Sequence, residues 1–166
     1  MPASHYHLQW KFVNDIPDFA LENAQDSSGL YFPLTNFAGM MAAITPLLHG
    51  DAKTGQNQFL LAPVCAEDLH NSRAVRNFWL YIQGDGPWSA TGDSAVQMSQ
   101  RFSGNAETEK LEAGLLWHKV SRINQKNGIV AEVINFVPAN ADTVELMRVK
   151  ITNTGDRPIE ITPTAA

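Results

Sequence analysis

The sequence predicts an all-β protein, an antiparallel β-sandwich, and three observations lead there. Apolar and β-branched residues alternate with polar ones over residues 114–124, 128–136 and 143–153, the period of strands that bury one face. Each run ends in turn chemistry: Gln125-Lys126-Asn127-Gly128, then Pro138-Ala139-Asn140-Ala141-Asp142, then Thr154-Gly155-Asp156-Arg157-Pro158. Helical spacing is scarce. Only residues 94–102 read as a short helix, which Gly104 and Asn105 end early.

The remaining elements follow along the chain. Residues 6–12 alternate as a half-buried strand does, and residues 18–23 and 29–34 are short runs split by the polar turn Gln25-Asp26-Ser27-Ser28. Residues 50–72 are long and polar and read as a loop, anchored by Phe59-Leu60-Leu61; loops of this length inside a domain are usually functional or disordered. Phe78-Trp79-Leu80-Tyr81-Ile82 is an aromatic and β-branched strand stopped by Gly84-Asp85-Gly86-Pro87. That turn presents Trp88 and three small residues, with Trp88 expected to be exposed. Asn127-Gly128 between apolar runs marks a hairpin, since both residues tolerate positive φ. Residues 159–164 alternate up to the end of the chain, so the expectation is a sandwich truncated inside a sheet.

A chain of 166 residues suits one domain with a real core. A net charge of -5 with scattered Lys and Arg argues against nucleic acid and anionic membranes. One cysteine, Cys65, excludes an intramolecular disulfide framework, and no apolar run is long enough to span a bilayer. A cytoplasmic location is the default.

No catalytic constellation emerges from spacing. Ser89 with His70 or His118 and Asp51 or Asp68 lacks a nucleophile-elbow motif. His5 and His7, with His49, His70 and His118, show no metal-ligand spacing, so no metal site is expected. Arg73 and Arg76 are anion candidates, although a structural pair with Glu67 or Asp68 accounts for them as well. The carbohydrate argument rests on aromatics interleaved with amides: Trp79, Trp88, Tyr31 and Tyr81 among Asn36, Gln56, Asn57, Asn71 and Asn77. Sugar rings stack on aromatic faces, and their hydroxyls need polar partners. The candidate substrate-binding or active-site border residues are therefore Asp51, Lys53, Gln56, Asn57, Asp68, His70, Arg73, Arg76 and Trp88. Their segments, residues 50–76 and the Trp88 turn, are expected to share one side of the sheet.

Arg76-Asn77-Phe78-Trp79-Leu80-Tyr81-Ile82 followed by Gly86-Pro87-Trp88-Ser89-Ala90-Thr91, with Phe136-Val137-Pro138, Glu145-Leu146 and Ile151-Thr152-Asn153-Thr154 downstream, resembles the N-terminal β-sandwich of the inverting glycoside phosphorylases of glycoside hydrolase family 94, the cellobiose and cellodextrin phosphorylases. The likeness covers nearly the whole chain. It departs at Gln83-Gly84, where the family often has an Arg-Asp pair, and in lacking the Gly-rich start of cellobiose phosphorylases. The resemblance implies a galactose mutarotase-like supersandwich, with residues 1–166 the partial N-terminal domain of a longer enzyme. It implies cleavage of a β-glucosidic bond by inorganic phosphate, a co-substrate, to give an α-sugar 1-phosphate, with no cofactor. The acid would sit on an (α/α)6 barrel outside this segment, so the segment alone is expected to be inactive. Implied partners are an oligosaccharide, the barrel and a second subunit in a homodimer. Two alternatives stay open: an autonomous carbohydrate-binding module, and a mutarotase-like enzyme using Glu132 and His118 on one sheet face.

Overall fold

A computed structural model describes residues 9–13, 17–27, 30–61, 75–101 and 103–166. The described chain is an antiparallel all-β sandwich. Its strands are β1 (Gln9–Phe12), β2 (Phe19–Glu22), β3 (Phe32–Thr35), β4 (Met41–Ile44), β5 (Ala52–Gly55), β6 (Gln58–Leu61), β7 (Phe78–Ile82), β8 (Gly86–Ser89), β9 (Glu109–Gly114), β10 (Trp117–Asn124), β11 (Ile129–Phe136), β12 (Leu146–Asn153) and β13 (Ile161–Ala165). The α-helix among the described residues is α1 (Ala95–Gln100). Ser94 caps it, its side chain accepting from the Gln97 N–H at 3.1 Å.

The largest sheet runs β1-β2-β9-β10-β11-β12; the others run β3-β4-β5-β6 and β13-β7-β8. In the large sheet β10 and β11 pair without a slip from Trp117↔Phe136 to Asn124↔Ile129. Period two therefore sends Ile129, Ala131, Val133 and Asn135 inward with His118, Val120, Arg122 and Asn124. Leu34 and Ile44 from the four-stranded sheet, Met40 just before β4, and Leu80, Ile82 and Trp88 from the three-stranded sheet join Leu111, Val120 and Val133 in one core. A fully buried Leu or Ile contributes roughly 1.5–3 kcal/mol. The small sheets are linked through the His49↔Val75 bridge and the Arg76 N–H bond to the Leu48 carbonyl at 3.2 Å. Pro33 and Pro163 sit on edge strands, where a missing N–H costs no ladder bond.

The structure changes several expected elements. The described part of the expected loop at residues 50–72 contains the β5–β6 hairpin, turning at Gln56-Asn57. Its strands are four residues each with register shifts around Lys53, too short and irregular to show alternation. The run at 114–124 is two elements: Gly114 ends β9, and Leu115-Leu116 is a turn in which Leu116 takes φ 65°. Two leucines hid that turn. At the β10–β11 turn, Gly128 is left-handed at φ 63° and Asn127 is not; the Asn127 N–H is held by Asn124 Oδ1 at 3.1 Å. Gly86-Pro87-Trp88-Ser89 is strand β8 and not part of the turn. Trp88 pairs opposite Leu80 and is 6% exposed, which corrects the expectation of an exposed ring.

Candidate functional site

The segment from Trp88 to Asp93 is a buried polar knot. Ser89, Ala90 and Thr91 are fully buried. Asn77 Oδ1 accepts from Ser89 Oγ at 2.8 Å and from Thr91 Oγ1 at 2.9 Å, and Ser89 Oγ also accepts the Asp93 N–H at 3.1 Å. A serine so enclosed is no nucleophile, which removes the triad reading at Ser89. Gly92, at φ 84°, lies against the Arg122 guanidinium, and a β-carbon there would overlap it.

Beyond the knot lies a charged cluster on the inward face of β9 and β10. Arg122 donates to Glu109, directly across the strand pair, and to the Thr91 carbonyl at 3.4 Å. Its Nη1 is 3.8 Å from Glu107. Glu107 accepts the Trp88 indole N–H at 2.7 Å and the Gln97 amide at 2.7 Å, and that amide also reaches the Ser89 carbonyl at 2.9 Å. Burial pushes the Glu109 carboxyl above its usual range, and Arg122 opposes that shift. Three buried atoms of this cluster have no partner among the described residues: Glu109 Oε1, Gln97 Oε1 and Arg122 Nε.

Gln97 and Glu107 of this cluster line two spaces. One is a polar groove of about 780 Å³ lined by Trp88, Glu107, Gln97, Asn105, Gln125 and Lys126 among others. At its rim Asp85 accepts from Lys126 and from Asn127 at 2.6 Å, bonds that lower the Asp85 carboxyl pKa. The other is a cavity of about 20 Å³ lined by Gly92, Gln97, Arg101, Glu107, Glu109 and Arg122 with their neighbours. A groove with amides, two carboxylates and an ammonium around an indole edge can hold a neutral, hydroxyl-rich ligand.

Six of the nine residues expected at the site are described: Asp51, Lys53, Gln56, Asn57, Arg76 and Trp88. Arg76 is 8% exposed and bidentate to Glu145, at 2.5 and 2.6 Å, and it also donates to the Gly50 and Asp51 carbonyls at 3.1 and 3.0 Å. Among the described residues its partner is Glu145, a structural pair that occupies both arms of the fork. The Asp51 carboxylate acts on the Tyr31 phenol, whose pKa burial and then Asp51 raise. Lys53 stands 5.8 Å from the Phe59 ring centre, and Gln56 and Asn57 form the hairpin tip. Asp68, His70 and Arg73 lie outside the described residues, as do His5, His7, Glu67 and Cys65. Trp88 belongs to the groove through Glu107, a residue the sequence reading did not single out. Just ahead of the segment at residues 50–76, His49 Nε2 is 3.1 Å from Asp93 Oδ1 in the Trp88 segment.

The pair Glu132 and His118 is corrected outright. His118 is fully buried inward, while Glu132 is on the outward face, bonded to Lys150 at 2.7 Å. Strand alternation puts them on opposite faces. Burial and the nearby Arg76 depress the His118 pKa to about 3, so the ring is neutral, packed at a tilt against Phe32 with 4.9 Å between centres. Among the described residues no group of three or more His, Cys, Asp or Glu side chains is arranged to hold a metal ion, and no helix is long and apolar enough to cross a membrane. No protein-family model matches this chain, and no curated protein sequence matches it.

Proposed function

We propose that this chain is the saccharide-facing β-sandwich of an inverting glycoside phosphorylase acting on β-glucosides. The observation that carries the reading is the groove of about 780 Å³ beside Trp88 and Glu107, walled by neutral amides with few charges. Gln100, Asn105 and Gln125 line it without side-chain bonds to other described residues, which leaves their amides available to sugar hydroxyls. The sequence resemblance supplies the reaction: phosphate displaces the sugar with inversion, and one carboxylic acid on a helical barrel protonates the leaving oxygen. In this reading the sandwich borders the barrel's active site and contributes to a homodimer; it binds and supports but does not react.

The test is titration of the purified chain with cellobiose and cellotriose, followed through the backbone and indole N–H resonances. The expected result is saturable shifts at Trp88, Asn105 and Gln125, weakened in Asn105→Ala and Gln125→Ala. Shifts of unchanged affinity in both variants, or none in the wild type, would refute the groove as the sugar site.

A further inference from the structure

Resting on the carbohydrate reading of the groove, we infer that Glu109, Gln97 and Arg122 form a subsite for a single sugar hydroxyl at its inner wall. Glu109 Oε1 and Gln97 Oε1 are acceptors without a partner, and Arg122 Nε is a donor without one. The Gln97 orientation follows from its bonds, since its nitrogen already serves the Ser89 carbonyl and Glu107. Leaving such atoms dry and unpaired is costly. A hydroxyl donates one bond and accepts up to two, so it matches an array of acceptors and a donor.

Size and charge narrow the occupant. All three side chains line the cavity of about 20 Å³, room for one oxygen-sized group. The lining carries Glu107 and Glu109 against Arg101 and Arg122, a balanced set that favours neither a cation nor an anion. Gln97, Gln100, Ala106 and Glu107 line both the cavity and the groove, so the cavity lies next to the groove. Glu109 and Arg122 are 2% and 4% exposed and are fixed by each other, which pre-organises the subsite.

The probe is cellobiose, titrated into the chain and into Glu109→Gln, Gln97→Met and Asn105→Ala, with monodeoxy methyl β-glucosides as a second series. Loss of a bond to a charged acceptor is expected to weaken cellobiose roughly tenfold or more in Glu109→Gln. One deoxy glucoside should lose a similar factor against the wild type and nothing further against Glu109→Gln, the signature of a shared contact. If Glu109→Gln and Gln97→Met bind as tightly as the wild type while Asn105→Ala binds less tightly, the cavity holds only water and the subsite is refuted, with the groove reading intact. If the wild type binds no saccharide, both fall. Should Glu109→Gln not fold, Gln97→Met and the deoxy series on the wild type decide alone: equal affinity across them overturns the subsite.

Discussion

The buried His118 makes the fold acid-sensitive in a way that can be worked out in advance. Its ring is fully buried, and both ring nitrogens lack partners among the described residues. In the folded state the pKa falls from 6.5 to about 3, first because the charged ring would lose its hydration and second because Arg76 repels it. The unfolded chain takes up this proton as pH drops through 6.5, and the folded chain does not until about 3. Stability is therefore complete above the unfolded pKa and falls as pH decreases, by about 1.4 kcal/mol per unit once well below it. The loss from this group is about 2 kcal/mol between pH 7 and 5 and about 3 kcal/mol between pH 7 and 4. Against a total of about 5–15 kcal/mol for a domain, that is a large share.

Urea unfolding at pH 7, 6, 5 and 4 measures it, with His118→Leu as the control that removes the titrating ring while keeping similar volume. Glu109 acts in the opposite sense, since its raised pKa lets the folded state take up a proton first. Glu109 is common to both proteins, so the difference between the two curves isolates His118. The leucine variant should lose about 2 kcal/mol less than the wild type between pH 7 and 5. Parallel curves would refute the reasoning, because they would mean that His118 ionises alike in both states.

Other outcomes follow from packing. Glu145→Gln should cost about 3–5 kcal/mol because Arg76 would be left buried without its counter-charge, and pairing it with Arg76→Met should recover part of that in thermal melts. Gly50→Ala should be worse than Gly84→Ala: both have positive φ, but a β-carbon at Gly50 overlaps the Ala43 carbonyl, whereas at Gly84 it meets nothing within 4 Å, leaving only about 1–2 kcal/mol of backbone strain. Trp10 and Phe12 are 64% and 65% exposed and line an apolar groove with Phe19, Leu21 and Leu30; Trp10→Ser with Phe12→Ser should reduce self-association in sedimentation with little change in melting temperature. The chain alone should release no phosphate from α-glucose 1-phosphate with glucose as acceptor; turnover in that assay would locate an acid within these residues.

Much of the fold was legible because the long strands each turn one face to the core. β10, β11 and β12 are eight residues apiece, enough for period two to stand out, and their turns carry Asn, Gly, Asp and Pro. The short strands were not legible. Four residues offer two inward positions, and in β5 the bulge at Lys53 breaks even that pattern. The apolar turn at Leu115-Leu116 and the strand inside Gly86-Pro87-Trp88-Ser89 failed for the same reason: turn residues and strand residues trade places when cross-strand partners decide the outcome. Leu80 opposite Trp88 is such a partner.

The candidate site was less legible than the fold because its decisive residues sit where polarity contradicts the strand pattern. Glu109, Arg122, Asn135 and His118 all occupy inward positions that hydrophobic alternation reserves for apolar side chains. Polar residues were sought in the segment at residues 50–76, where exposure was expected, and there Arg76 proved to be a buried brace to Glu145. The signal that was available lies in the registers: Glu109 and Arg122 are cross-strand neighbours of opposite charge on a buried face. Such a pair costs desolvation and is weak evidence of stability in itself. The His118 and Asn135 pair, also cross-strand neighbours, keeps unpartnered atoms as well. The Glu109–Arg122 end combines unpartnered buried atoms, a cavity of one oxygen's size and a neighbouring groove. That coincidence, rather than any single charge, selects it as the place where a ligand's hydroxyl completes what the chain leaves unsatisfied.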